Sequence, residues 1–344
     1  WPFLIVFFLC FGGAVSVHLG QDANWDLKNY HIYNAWSYLN KKLEADPFAA
    51  GIQTYFAPLI DLPYYIISIQ WLPKAPRTVA FLMGLPYGFL LFVVFRLAWI
   101  VNEKTEEEKY SRIIMSLLAT AFGATGVATI SQVGTTFNEI PVAAITLGGL
   151  VFIVIATTRT ISDAHNSKIQ KYIIISGLLF GVAAGLKLTA CIYAPGAAIT
   201  VAAMNGRFKQ RFSRIIIFSV AWAAAFLLLW GPWGLNLYKL TGNPFFPFFN
   251  FIFHSSWIPA SGGGMDLRFM PKNTIEAIFY PFYWANNPQM TVMEPRFADP
   301  RFAIALGLAL IALFVHSPQL LRFATQREFK SISLSPQGAV LTFF

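Results

Sequence analysis

The hydrophobic residues of this chain cluster into runs that are long enough to cross a lipid bilayer as helices. Such runs lie at 1–19, 78–101, 113–131, 141–157, 172–186, 188–204, 215–235 and 302–316, and another begins near 335. Only α-helices and closed β-barrels satisfy the whole backbone in hydrocarbon, and these runs lack the alternation of barrel strands. The pattern therefore predicts an all-α polytopic membrane protein.

Composition supports this prediction. Hydrophobic residues make up 56% of the 344 residues and charged residues only 12%, and the mean hydropathy is +0.55. Ordinary soluble domains are more charged and less apolar. We expect residues 1–344 to form a single transmembrane domain. Because the sequence starts at Trp1 and stops inside an apolar run, we also expect a fragment of a longer chain.

Basic residues orient the predicted helices. Thirteen Lys or Arg residues lie in or beside four short connections, near 104–112, 159–171, 207–214 and 322–330. The positive-inside rule places these connections in the cytoplasm. Two long connections, 20–77 and 236–301, then face outward, together with 132–140 and the turn at Lys187. The net charge of +9 follows from this topology, so we expect no nucleic-acid partner.

One apolar segment within the first outer loop is not counted as a span. Residues 58–73 contain Asp61 and Pro63 and leave only a short clean apolar stretch. Counting the segment as a span would reverse the orientation of all four basic connections. We therefore predict an interfacial or re-entrant helix there.

The first outer loop begins with "GQDANWDLKNYHIYNAWSYLN" (20–40), which carries carboxylates and aromatic residues close to the end of the first span. An apolar stripe at helical spacing predicts a helix lying along the membrane surface, and its members are Ile32, Trp36, Leu39 and Leu43. Asp26 falls at the N-cap or first turn, with Asn29 and Tyr30 on its face. The alternative is that Asp26 only caps this helix and that Asp22 is a solvated loop residue.

Two other outer connections carry candidate site residues. Asn138 and Glu139 lie in the short connection before the span at 141–157, and Lys187 lies between two apolar runs. Ionisable residues in such positions tend to be functional. The alternatives are a capping role for Glu139 and, for Lys187, a side chain that extends to the membrane surface. Grouped together, these residues predict a site that binds a phosphorylated lipid headgroup.

Weaker candidates follow from position alone. His31 lies one turn after Asp26 on the predicted surface helix, although such a histidine is more often structural. Arg268 and Lys272 lie in the second outer loop, where a solvated role is favoured. The Phe-rich segment 243–253 is interpreted as interfacial packing, with a slot for a prenyl chain as the functional alternative.

These features resemble the GT-C superfamily of integral-membrane glycosyltransferases. The resemblance rests on the architecture and on three short motifs, "DLKNYHIYNAWSYLN" after the first span, "GLKLTACIYAPGA" around Lys187, and "LTGNPFFPFFN" at the start of the second long loop. It implies a GT-C-like helical bundle with a large first outer loop carrying interfacial helices. It also implies a location in the bacterial plasma membrane, with the active site on the non-cytoplasmic face.

The resemblance further implies an activity. A sugar would move from a polyprenyl-phosphate donor to a hydroxyl of a lipid, glycan or protein acceptor, with inversion. Asp26 matches the catalytic base best, and Asp22 is the fallback; Glu139 stands where relatives more often carry Asp. Lys187 would bind the phosphate. The superfamily includes members with and without a divalent cation, so a Mg²⁺ or Mn²⁺ cofactor stays open.

Three other functions share parts of this pattern. A transporter or flippase of lipid-linked sugars would place its polar residues near the middle of the membrane, often on broken helices. The candidate residues here lie at helix ends, which favours chemistry at the surface. A glycan polymerase or ligase would share both donor and location, and a non-catalytic subunit of a membrane complex is the third alternative.

Overall fold

The structure is a computed structural model that describes residues 1–102, 109–161, 166–259, 267–285, 298–311 and 335–343. The described residues are almost entirely helical, with one short extended segment, β1 (Ala49–Ile52). The helices are α1 (Pro2–Leu19), α2 (Ile32–Asn40), α3 (Leu62–Tyr65), α4 (Pro76–Val101), α5 (Lys109–Ala124), α6 (Val127–Ile130), α7 (Glu139–Ile161), α8 (Asn166–Leu186), α9 (Tyr193–Ala203), α10 (Phe208–Thr241), α11 (Asn250–Phe253), α12 (Thr274–Ala285), α13 (Arg301–Ile311) and α14 (Pro336–Phe343).

Five helices in the described part of the chain are long and apolar enough to cross a membrane, namely α1, α4, α7, α8 and α10. They coincide with the runs predicted at 1–19, 78–101, 141–157, 172–186 and 215–235. The chain is therefore a helical membrane protein. Residues 58–73 form only short helical segments, so the structure has no spanning helix there.

Two other predicted runs form shorter helices than expected, and a third is described only in part. The run at 113–131 becomes α5, which ends at Ala124 beside Gly123 and Gly126, residues that disfavour continued helix. The run at 188–204 begins with a 3₁₀ segment (Leu188–Ile192) before α9. The run at 302–316 forms α13 as far as Ile311, and its remaining residues lie outside the described part, as does the basic segment 322–330.

Helices α1 and α4 pack closely because glycines line their contact. A Cβ atom added at Gly12 would overlap the backbone of Gly84 and Gly88, and one at Gly88 would overlap the backbone of Phe8. Small residues let transmembrane backbones approach in this way. Ser16 reinforces the contact, since its hydroxyl donates to the Ala80 carbonyl at 2.6 Å. The packing fixes where α1 delivers the chain to the first long loop.

Helices α8 and α10 also pack closely through glycines at their contact. Gly177, Gly181 and Gly185 recur at four-residue intervals on α8, and an added Cβ at any of them would overlap α10. Ridges of residues four apart are one of the surfaces by which helices interlock. The end of α8, and with it Lys187, is thereby held against the part of α10 that carries Trp230.

The described residues form two compact units. The first comprises 1–124, 132–263 and 333–344 and includes every helix of spanning length. The second comprises 125–131 and 264–332. Within the second unit, Asp299 accepts a hydrogen bond from the Val127 amide at 3.2 Å, and the rings of Trp284 and Phe302 lie 4.4 Å apart.

The α1–α4 contact gives a stability prediction. We expect Gly88→Ala to lower the free energy of unfolding by about 1–3 kcal/mol, because the new methyl group forces the helices apart. Gly231→Ala in α10 is the matched control, since an added Cβ there meets no neighbour, and alanine at that position should be neutral or mildly stabilising. Thermal unfolding in detergent measures both variants, and equal melting temperatures would refute the packing role.

Candidate functional site

Asp26 does not cap the helix that follows the first span. Residues 25–40 form a continuous helix that includes a π-helical turn, Leu27–His31. The Asn24 side chain accepts a hydrogen bond from the Leu27 amide at 2.7 Å, whereas the Asp26 side chain makes no capping hydrogen bond. Asn24 thus performs the capping that the sequence suggested as an alternative for Asp26. The Asp26 carboxylate is left partly exposed in the first turn.

Only part of the apolar stripe predicted on this helix faces outward, because Ile32 packs against the core around Leu27, and Leu43 lies beyond the end of α2. Trp36 and Leu39 are 38% and 44% exposed, whereas the opposite face buries the polar residues Asn34 and Ser37. Asn34 is held by a hydrogen bond from its amide to the Gln53 carbonyl at 2.8 Å. An exposed apolar face on a helix with a polar buried face is the arrangement expected of an interfacial helix.

Most of the predicted site residues meet at one cavity of about 180 Å³. We call it the polar cavity, and its ionisable or amide-bearing lining residues are Asp26, Tyr30, His31, Asp61, Asn138, Glu139 and Lys187. Aromatic side chains form another part of its wall, namely Tyr55, Phe56, Phe137, Trp230 and Phe248. The polar groups come from four segments that are far apart in sequence and meet at one end of the helical bundle.

A buried carboxylate joins three of these segments. Asp61 is 4% exposed, and one of its oxygens lies 2.7 Å from His31 Nδ1 and accepts a hydrogen bond from the Asn138 amide at 3.1 Å. Burial raises the pKa of Asp61, and the hydrogen bond and charge of His31 oppose that rise. The network fixes the first-loop helix against the start of α7.

Asp61 is a site residue that sequence reasoning missed. In the sequence, Asp61 served only as evidence against a span at 58–73. The signal was present, since a lone carboxylate inside an apolar segment needs a partner when it is buried. The sequence alone gives no way to identify that partner as His31, thirty positions earlier.

Glu139 and Lys187 form an ion pair at the edge of the polar cavity. The Lys187 ammonium contacts Glu139 Oε1. The Lys187 side chain is 33% exposed and the Glu139 side chain 49%. The pair explains why Lys187 tolerates its position between two apolar segments. Because the ammonium keeps contact with solvent, it also stays accessible to an anionic group in the cavity.

Tyr30 contacts the Asp26 carboxylate, to which its hydroxyl donates a hydrogen bond. Burial raises the pKa of its hydroxyl far above the ordinary tyrosine value, and the charges of Asp26 and Asp61 add to the effect. Its ring lies 4.2 Å from the His31 ring and meets Phe56 edge-on at 5.8 Å. Tyr30 therefore remains protonated and can donate a hydrogen bond within the cavity.

Three predicted site residues do not line the polar cavity. Asp22 accepts hydrogen bonds from the Thr136 amide at 2.7 Å and from its hydroxyl at 2.9 Å, which ties the end of α1 to the segment before α7. Asn29 is exposed and donates to the Trp25 carbonyl at 2.7 Å. Arg268 belongs to the second compact unit, where its guanidinium lies 5.0 Å from the centre of the Phe269 ring.

Three rings of the Phe-rich segment pack against the wall of the polar cavity, whereas Phe249 and Phe251 are 45% and 65% exposed. Phe246 is fully buried, and its ring meets that of Tyr55 at 4.8 Å. Phe248 stacks on Phe56 at 5.9 Å, and Phe245 stacks on Trp230 at 6.0 Å. These contacts make the segment a structural wall behind the polar cavity.

Neither a metal site nor a similar protein identifies the function of the polar cavity. Among the described residues, no three His, Cys, Asp or Glu side chains are placed to hold one metal ion. Comparison of the chain with protein-family models, curated proteins and solved structures finds no match. The chemistry of the site must therefore be argued from its own residues.

The raised pKa of Asp61 gives a pH-dependent prediction. A carboxyl whose pKa is raised on folding stabilises the protein at pH values below its ordinary pKa of 3.8, and that contribution is lost as the pH rises through the raised value. Asp61→Asn keeps an oxygen acceptor for the Asn138 amide but cannot ionise. We therefore expect the melting temperature of Asp61→Asn, relative to wild type, to increase as the pH is raised from acid to neutral.

Two further variants complete that experiment. Asp61→Leu removes the acceptor and should lower the free energy of unfolding by about 3 kcal/mol, because His31 and Asn138 lose a buried partner. Asp46→Asn changes an exposed carboxylate of the same loop and should show no pH-dependent gain. A melting-temperature difference between Asp61→Asn and wild type that is constant with pH would contradict the assignment.

Proposed function

We propose that this protein is a membrane glycosyltransferase that moves a sugar from a polyprenyl-phosphate donor to an acceptor hydroxyl, with inversion at the anomeric carbon. The observation that carries the proposal is the polar cavity. It brings a partly exposed carboxylate, Asp26, together with an accessible ammonium, Lys187, at one end of the membrane-spanning helices. A base and a cation in one cavity are what such a transfer requires.

Asp26 is the proposed general base. Its carboxylate accepts the proton of the acceptor hydroxyl while that oxygen attacks the anomeric carbon. The bond from this carbon to the phosphate oxygen breaks at the same time, and the phosphate leaves with the electron pair. The absence of a side-chain capping bond supports this role, because the Asp26 oxygens are not committed to the helix terminus.

Lys187 is the proposed electrostatic partner of the leaving phosphate. A cation fixed in advance beside an oxygen that gains charge stabilises the transition state more than the ground state. Glu139 holds the ammonium in place. The phosphate leaves as a stable anion, so the mechanism uses no second carboxyl as the acid that a glycosidase needs.

The surroundings of the cavity support a donor anchored in the membrane. Exposed aromatic residues of the first loop, Trp25 at 64% and Trp71 at 72%, are typical of the interface between headgroups and water. Short helices of this loop carry the Asp26 and Asp61 side chains of the cavity. The charge asymmetry of the loops supports an outward orientation of this end, on the non-cytoplasmic face.

The role of Asp26 is tested by Asp26→Asn. We expect purified Asp26→Asn protein to transfer labelled sugar from a polyprenyl-phosphate donor at least about 100-fold more slowly than wild type, because the amide cannot accept the proton. Asp46→Asn, in the same loop and outside the polar cavity, should transfer at the wild-type rate. Equal turnover by the Asp26→Asn and wild-type proteins would remove the proposed mechanism.

The role of Lys187 is tested by Lys187→Gln. Loss of one preorganised electrostatic contact should lower kcat by about 100-fold. Lys239→Gln serves as the control, because Lys239 is exposed on α10 and does not line the polar cavity.

The transporter alternative is tested with wild-type protein in liposomes. If the protein moves the lipid-linked sugar across the bilayer without forming a new glycosidic bond, it is a transporter.

A further inference from the structure

A second cavity, of about 380 Å³, adjoins the polar cavity. We call it the α7–α9 groove. Residues from one face of α7 form the first wall, residues 189–193 form the second, and Phe343 of α14 lies at a third side. The α7 residues are Glu139, Val142, Ala143, Thr146 and Leu147. Apart from its mouth, the lining is dominated by apolar side chains.

The groove exists because its walls carry small side chains and because α9 starts late. Ala143 and Ala190 leave space where larger residues would fill the contact between α7 and the segment before α9. The 3₁₀ segment Leu188–Ile192 delays α9, so α9 has only 11 residues. Ile192, on the rim of the groove, is 71% exposed, so the groove is open along its side.

The groove runs from the polar end of α7 into its membrane-spanning part. Glu139 is the first residue of α7, and Leu147 lies eight positions further along the same face. At 1.5 Å per residue, this spacing corresponds to about 12 Å along the helix axis. A linear apolar ligand that entered at Glu139 would therefore lie beside the hydrocarbon part of the helix.

The two cavities have three lining residues in common. Glu139, Lys187 and Thr189 line both the polar cavity and the α7–α9 groove. A ligand that fits both spaces at once has an anionic group beside Lys187 and an apolar chain that points away from it. That description excludes a free sugar phosphate, which has no apolar part, and a neutral hydrocarbon, which gains nothing from the ammonium.

We propose that the α7–α9 groove binds the prenyl chain of the donor and thereby sets the phosphate beside Lys187. The inference rests on the proposed function and assigns a separate part of the molecule to the lipid. It places the chain away from the Phe-rich segment, whose rings pack on Tyr55, Phe56 and Trp230. Its first prenyl units lie along Val142, Ala143 and Leu147.

The groove contributes orientation more than affinity. A prenyl chain that leaves the bilayer for an apolar groove exchanges one hydrocarbon environment for another, so the hydrophobic effect adds little. Packing against α7 instead fixes the direction of the chain and the depth of the phosphate. Such positioning brings the anomeric carbon within reach of an attacking oxygen.

The test is photolabelling of the full chain in lipid nanodiscs. The probe is decaprenyl phosphate with a diazirine on one of its first prenyl units, and the labelled residues are identified by mass spectrometry. We expect label on α7 and on residues 189–193. Unlabelled decaprenyl phosphate should compete with the probe, and decaprenol, which lacks the phosphate, should compete about tenfold less well.

Two groove-filling variants and one control sharpen the test. Ala143→Phe fills the groove from α7, and Ile192→Trp fills it from the opposite rim, where an exposed residue can be enlarged without disturbing the fold. Each should reduce labelling about tenfold, as expected when a packed site is overfilled. Ile199→Trp, at a 59% exposed position of α9 outside the groove, should be labelled like wild type.

The outcomes separate this inference from the proposed function. Label on residues 243–253, unchanged labelling in both groove variants, or equal competition by decaprenol would each overturn the groove assignment. Asp26→Asn should be labelled like wild type while it fails to transfer sugar. If wild type is labelled in the groove but transfers no sugar to any acceptor, the proposed function fails and the lipid site stands.

Discussion

The candidate site depends on one buried carboxylate. Asp61 accepts from Asn138 and pairs with His31, so a single oxygen holds the first-loop helix, the segment before α3 and the start of α7 in register. A buried charge is tolerated only when it is fully partnered. The requirement explains why a polar network sits within so apolar a protein. The network also fixes Asp26 relative to Glu139, the neighbour of Asn138, and Glu139 in turn pairs with Lys187.

The sequence was most informative where hydrophobicity alone decides the structure. Five predicted spans match α1, α4, α7, α8 and α10, because a continuous apolar run in a bilayer has few alternatives to helix. Loop charge also grouped Asp26, Glu139 and Lys187 on one end of the bundle before any contact was known, and the structure places them around one cavity. Local patterns thus identified most of the polar residues that line the cavity, although they missed Asp61 and could not give the geometry.

The remaining features depend on contacts between distant residues. The pairing of His31 with Asp61 follows from tertiary packing, which leaves no local pattern. The capping of the first-loop helix by Asn24 is a local contact, but Asn24 and Asp26 are both suitable capping residues, so the sequence does not choose between them. The sequence favoured Asp26 over Asp22 without excluding Asp22, and the structure distinguishes them because Asp22 is bonded to Thr136 and only Asp26 of the two lines the polar cavity. The shortened α5 and α9 have a different origin, since glycines and a 3₁₀ segment interrupt runs that hydrophobicity treats as continuous.

The outward apolar face of α2 has a mechanical consequence. Trp36 and Leu39 are exposed on the side away from the bundle, and an exposed apolar face of this kind suits contact with a lipid surface. The same helix continues directly from the turn that carries Asp26 and His31. Contact of this face with lipid would couple the turn that carries Asp26 and His31 to the bilayer surface, so a change in bilayer thickness would move that turn relative to the helices of spanning length.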